Sequence, residues 1–405
     1  MVFKKKIAIG SLLSALTLSV SAGDYELRLP FTTEAPSDSD ASGLTLAVPA
    51  TISFSGYYIS GGAVYSSGTN NYGQLGLSNT TSTSVFLPAG IASGALRLAS
   101  SGQNVGVVKD DGTLWMVGRN LGQGSGGGQF GLGHNTSIST FTKTPLTDVA
   151  DVDMDNQHTL ALLTNGTVWG AGFNNTASGT PLGFTDNIEK SAFEQTSLSG
   201  ITAIEAGILF SLALDSSKRV WFAGNNARGQ GGLGTAGLVT GWVQIPVDNV
   251  IKISADNWQS FVIRQDPGTN IKSLWAAGEN SDGELGIGHT TDSPTFIYTG
   301  LDGVIDVGTG WHYSAALKDD GTVWAAGRNG VGQFGNGSTS NTPQISFIQL
   351  PITDVEAISV GHTTLSVLKT DGSVWAAGRN TTGAMGLGHT ASQSVFVEIA
   401  NPDPG

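Results

Sequence analysis

The apolar positions of the chain fall in short runs with no sustained helical period. Between residues 304 and 350 they read VIDVG (304–308), YSAALK (313–318), TVWAAG (322–327) and ISFIQL (345–350). Each run has strand length and is rich in β-branched or aromatic residues. The turn Asp319-Asp320-Gly321 separates the second run from the third. Asp-Gly between two such runs predicts a tight hairpin, because glycine tolerates positive φ there. The pattern predicts four strands per unit and no helix.

The unit recurs. DGTVWAAGRN at 320–329 returns as DGSVWAAGRN at 371–380. Aligning every copy on its aromatic residue gives Tyr65, Trp115, Trp169, Trp221, Trp275, Trp324 and Trp375, at separations of 49 to 54 residues. A glycine follows three residues later in all seven copies and an asparagine five residues later, from Gly68 and Asn70 to Gly378 and Asn380. A period near 50 over almost the whole chain indicates one repeat array rather than two domains. The expected fold is all-β: a seven-bladed propeller of four-stranded antiparallel blades over residues 45–400. The repeated glycine is expected where blades crowd toward the axis, and the bulky aromatic where they spread. The asparagine is expected to lock a turn. A residue present seven times around a ring is scaffold rather than catalytic.

The first 22 residues follow another logic. Lys4, Lys5 and Lys6 precede an apolar run from Ile7 to Val20, and small residues end at Ala22. This predicts a secretory signal peptide, too short for a stable membrane span. No cysteine exists to accept a lipid or form a disulfide. Three of the 19 basic residues lie in the leader, leaving 16 against 32 acidic ones, a balance of −16. Such a field repels a phosphate backbone, which argues against nucleic-acid binding. The expected product is exported, periplasmic or secreted, without a membrane span and monomeric. An acidic, Ser-rich segment (23–44) precedes the repeats and a short tail (401–405) follows them.

The stretches GTNNYGQLG (68–76), GENSDGELG (278–286), GRNGVGQFG (327–335) and GRNTTGAMG (378–386), with GHTTLSVLKTDGSVWAAG (361–378), carry a resemblance. The chain closely resembles the regulator of chromosome condensation repeat family over roughly residues 45–400. That resemblance implies a seven-bladed ring. Three copies depart from the pattern. The third reads GFNNTASGTPLG, the second carries a Gly-rich insertion at 122–131, and the first has lost most of its opening strand pair. The family's founder is a nuclear exchange factor for a small GTPase that docks on nucleosomes; the leader and the acidic balance argue against that role here. Exported bacterial propellers that inhibit β-lactamases are similar in architecture, and grip their targets with one face. Their repeats are shorter and lack the GQLG continuation, so the target does not transfer.

Function is expected where equivalent positions differ. The loop before the second strand supplies Phe210, Trp258, Gln259, Trp311, His312, Tyr313 and His362 in the fourth to seventh copies, whereas the second and third copies are amide-rich. Large aromatics on loops of a rigid scaffold are common binding hot spots, and in the inhibitor branch this loop supplies aromatic contacts. The competing reading is that these side chains plug the channel or pack between blades. No His spacing or His/Asp/Glu cluster in the sequence suggests a metal, and no cofactor is expected. The acids mostly occupy turns such as Asp110-Asp111, Asp319-Asp320 and Asp371; Glu205 and Asp256 are the least accounted for. The reading is a non-catalytic propeller binding an extracytoplasmic protein or glycan. A glycan-active enzyme with a pocket at the channel mouth, and a passive surface or matrix protein, are the alternatives. Ring closure is expected to place residues 45–54, or 25–31, beside the last strand or its blade.

Overall fold

The computed structural model of the chain describes residues 44–47, 55–121 and 127–399. The expected leader at 1–22, residues 23–43 and the tail at 401–405 lie outside them. The described residues form seven four-stranded antiparallel sheets, each a simple meander in chain order. The all-β, seven-bladed propeller is the observed fold. Each blade's first strand lies innermost and its fourth outermost, since the first strands of successive blades pack together. Blade six runs Val304–Gly310, Tyr313–Lys318, Val323–Asn329 and Ser340–Gln349. The first copy is not short of strands: Leu44–Ala47 pairs with Ser55–Ser60 to complete blade one. No helix among the described residues is long and apolar enough to cross a membrane.

The repeated residues act locally. In the second-to-third strand hairpin Asp320 Oδ1 accepts from the Thr322 N–H (3.0 Å) and hydroxyl (2.5 Å), and Thr322 Oγ1 accepts from Trp324 Nε1 (3.0 Å). The same relay joins Asp111, Thr113 and Trp115, and Asp371, Ser373 and Trp375. These turn carboxylates are therefore structural. The asparagines lock turns as expected. Asn280 Nδ2 donates to His289 O (2.7 Å) while its Oδ1 accepts from Leu285 N (3.0 Å), and Asn70, Asn226, Asn329 and Asn380 repeat the arrangement. Asn174, in the divergent third copy, keeps only contacts of 3.4 Å.

The repeated glycine is not at the axis. It lies on the third strand, outward of the two inner strands, with φ between 101° and 114° in all seven copies. In blade six a Cβ on Gly327 would stand 2.3 Å from His312 O, the same carbonyl that accepts from Arg328 N at 2.7 Å. Glycine is required because the third strand tucks under its own blade's first loop.

A second glycine joins each blade to the next. Gly76, Gly131, Gly183, Gly232, Gly286, Gly335 and Gly386 all have φ between 60° and 74°. A Cβ on each would stand 2.0 to 2.5 Å from a ring of the following blade's outer strand: Phe141, Phe193, Trp242, Phe296, Phe347, Phe396 and, across the closure, Phe86. Beside this latch, the N–H of Gly388 donates to Ser84 O (2.8 Å), as Gly337 does to Ser394 O and Gly288 to Ile345 O. The buried apolar clusters likewise straddle neighbouring blades; one unites Tyr58 and Phe86 with Leu368, Met385 and Ile399. The ring thus closes by a seventh copy of the same packing. Leu44–Ala47 lies near the last blade's second strand but pairs within blade one, and the last strand, Gln393–Ile399, stays at its own blade's outer edge.

Gly386→Ala should lower stability by about 1–3 kcal/mol more than Gly388→Ala, read from urea unfolding. Both residues have positive φ, but a Cβ at 388 meets nothing closer than 3.9 Å.

Candidate functional site

In an antiparallel meander, the first-to-second and third-to-fourth connections emerge at one end of the blade. They form the upper face here, tied together by bonds such as Gln129 Nε2 to Asn156 O (3.3 Å) between blades two and three. Trp311 stands on this face, 44% exposed. Its N–H donates to His362 O of the next blade (2.8 Å). Its ring lies 4.6 Å from that of His312 and 4.4 Å from that of His362. His312 holds the tip of the turn at φ 67°. Trp258 is half-buried in the equivalent turn of blade five.

Four expected contact residues are interior. Phe210 and Tyr313 open second strands and point into the core, each filling the space over a glycine three residues earlier; a Cβ on Gly207 or Gly310 would stand 2.2 Å from the ring. The Tyr313 hydroxyl has two carbonyl acceptors within reach of its one proton, Gly361 O (3.0 Å) and Thr364 O (2.8 Å). Gln259 is buried with its Nε2 on Glu284 Oε1 (3.2 Å). His362 is buried beneath Trp311; burial, helped by the charges of His312 and Arg379, pushes its imidazole down to about 3. None of the four presents a surface to a partner. The sequence signal for this is the position itself: Asn104, His158 and Thr364 open their second strands and are buried too.

A carboxylate network that the sequence did not reveal supports the Trp311 turn. Asp282, from blade five, bonds His312 Nδ1 through Oδ2 and accepts from Arg328 Nε through Oδ1, both at 2.5 Å. Glu284 occupies the position held by Gln74, Gln129, Gln230 and Gln333 in other copies. Its Oε2 accepts from Asp282 N (2.7 Å), as Gln230 Oε1 accepts from Arg228 N (3.0 Å). Asp282, Glu284 and His312 offer ligand atoms within 4.8 Å of one another, the spacing of a cation site. Here their hydrogen bonds are directed at each other, Arg328 and Gln259.

Other polar groups join blades. Asp153 Oδ2 accepts from Ala206 N (2.8 Å) and Glu205 Oε2 from Ala255 N (3.3 Å), stapling successive inner strands. Burial pushes the Asp256 carboxyl well up, with Asp153 and Asp155 adding repulsion. Asp155, His158 and Ser211 have the connectivity of a charge relay, with Nδ1 on Asp155 and Nε2 on Ser211 Oγ, both at 2.8 Å. All three are buried, so Ser211 has no surface for a substrate. Burial raises the Asp155 carboxyl, but His158 and the N–H groups of Gln157 and His158 outweigh it and leave it lowered. His134, His289 and His389 each accept through Nδ1 from the N–H two residues on, which accounts for their repetition.

A closed ring of seven four-stranded blades, with variable turns gathered on one face, defines a β-propeller of the kind that displays loops on a rigid frame. Sequence comparison then adds the family. The regulator of chromosome condensation (RCC1) repeat matches residues 61–106, 273–317 and 304–333. With seven blades in place, the chain belongs to the RCC1 repeat family. Among solved structures, Prp20p from Saccharomyces cerevisiae, a protein that binds Gsp1p and histones, is similar at 18% identity and TM-score 0.71, with 88% of each chain covered. Yeast RCC1 (Prp20) bound to Kap60 matches at 17% and 0.71, covering 92% of this chain and 90% of that one. Human WBSCR16 matches at 19% and 0.70, covering 84% and 94%.

Burial, reinforced by Asp282 and Glu279, raises the Glu284 carboxyl to about 7 from 4.5, against opposing backbone hydrogen bonds. A carboxyl raised on folding contributes stability below its unfolded value that is lost as pH rises through the folded one. Glu284→Gln, which restores the repeat's amide, should therefore be neutral below about pH 4.5 and stabilising by on the order of 3 kcal/mol above about pH 7. Urea unfolding across that range checks it.

Proposed function

We propose that the chain is an exported, non-catalytic binding propeller that grips a protein partner outside the cytoplasm through the Trp311 side of its upper face. The observation that carries this reading is Trp311 itself: a large aromatic, 44% exposed, held by a backbone bond to the next blade and flanked by two imidazoles. A rigid aromatic loses little conformational freedom on binding, which makes it a strong anchor. The similar yeast propeller that binds Gsp1p, histones and Kap60 supports a protein rather than a glycan as the partner class. Export rests on the Lys4–Lys6 cluster, the apolar run after it and the small residues ending at Ala22.

Affinity capture from the cell envelope and culture fluid, with intact protein and Trp311→Ala, tests the reading. The variant should lose its partner by at least about tenfold in affinity. Its thermal midpoint should fall by no more than about 5 °C, the loss expected from removing the packing of the ring on His312 and His362, and near-UV circular dichroism should show it folded. N-terminal sequencing of protein recovered outside the cytoplasm should begin at Gly23, and deletion of residues 2–22 should keep the protein inside.

A further inference from the structure

Charge is sorted around the upper face. The residue after the third-strand glycine is Arg119 in blade two, Arg328 in blade six and Arg379 in blade seven; the other copies have Thr69, Phe173, Asn225 and Glu279. Closure makes blades six, seven, one and two a continuous arc. Within that arc the upper connections (311–312, 328–339, 361–363, 379–392, 69–82, 101–103, 119–121 and 127–137) contain no acidic residue and three arginines. The corresponding connections of blades three to five (155–157, 173–189, 208–209, 225–236, 257–258 and 279–292) contain seven acidic residues against Arg228 alone. Arg228 is itself drawn to Glu279 (3.7 Å) and Asp292 (3.5 Å). In a chain of net charge −13, this arc is the part of the described upper face that repels an anion least, most so at Arg119 and Arg379, since Asp282 of blade five already holds Arg328.

The arc also carries exposed aromatics. Trp311 lies at one end with Arg328, which is 45% exposed, and the charge of Arg379 acts on His362 beside it. At the other end Tyr72, 37% exposed, lies under the Arg119 guanidinium at 5.0 Å from its ring centre, and Arg119 Nη1 donates to Gln103 Oε1 (2.7 Å). An arginine placed over an aromatic ring and tethered by one hydrogen bond retains other guanidinium N–H donors, which suits it to carboxylates.

We infer that this arc is the docking surface for an acidic peptide segment of the partner, with its carboxylates on Arg119 and Arg379 and an apolar side chain on Trp311. The inference rests on the binding reading above and adds its chemistry. The acidic arc opposite turns such a segment toward blades six, seven, one and two, and so fixes its orientation.

A fluorescein-labelled oligoglutamate peptide, with oligolysine and heparin as comparison probes, tests the assignment by fluorescence anisotropy. Oligoglutamate should bind, and binding should weaken with salt. Arg119→Glu/Arg379→Glu should weaken it about tenfold or more, whereas Lys218→Glu/Lys369→Glu, the same charge change at the opposite hairpins, should not. Near-UV circular dichroism confirms that both variants are folded, and Arg379→Gln gives the same direction with a smaller perturbation. Absence of oligoglutamate binding, preference for oligolysine, or equal loss in both double variants overturns the inference. Heparin binding in place of oligoglutamate overturns the peptide assignment. If Trp311→Ala loses the captured partner and Arg119→Glu/Arg379→Glu keeps it, the charge assignment fails and the binding reading stands. If Trp311→Ala keeps the partner, the binding reading itself fails.

Discussion

Each blade seats an aromatic ring of the next blade on a glycine that has no side chain to obstruct it. A Cβ at any of these seven positions would lie within 2.5 Å of the ring, closer than packed atoms approach. The contact fixes the distance and rotation between successive sheets, and repeated seven times it brings blade seven against blade one through Gly386 and Phe86. A chain with no cysteine closes its ring by packing and backbone hydrogen bonds, and the closing seam has the same glycine–ring contact as the other six.

A frame fixed in this way leaves the upper turns free to diverge. In blades two to seven the third-strand glycine lets the next residue's N–H tie the first loop down through one carbonyl, so residues such as Trp311 are presented on backbone that is already ordered. The Asp282 network adds a second constraint in blades five and six, because His312 and Arg328 are both held by a carboxylate from the preceding blade. Binding to such a surface costs little ordering entropy, which suits an interface built on a few anchors. The division of the face into an acid-free arc and an acidic arc gives it a direction as well as a position.

The blade count, the hairpins and the asparagine locks were legible because each is a local rule repeated seven times. The latch was not, although its glycine stands in every copy. Its aromatic partner lies in the next unit, on an outer strand whose sequence varies, and in one case is Trp242 rather than phenylalanine. Trp311 was legible as a loop aromatic. Phe210 and Tyr313 were not legible as core residues, because one position differs between solvent and interior only by strand register and by a glycine three residues earlier. The Asp282–His312–Arg328 network joins residues of two copies, so no spacing within a repeat could show it.

Hydrogen exchange at the latch amides tests the closed ring most directly. The N–H groups of Ser78, Gly133, Gly234, Gly288 and Gly337 bond the next blade's outer strand, and that of Gly388 makes the same bond across the seam. If the seventh contact equals the others, the Gly388 amide is protected to the same degree as those five. Fast exchange at Gly388, with the remaining amides slow, would show a ring that is open between its first and last blades.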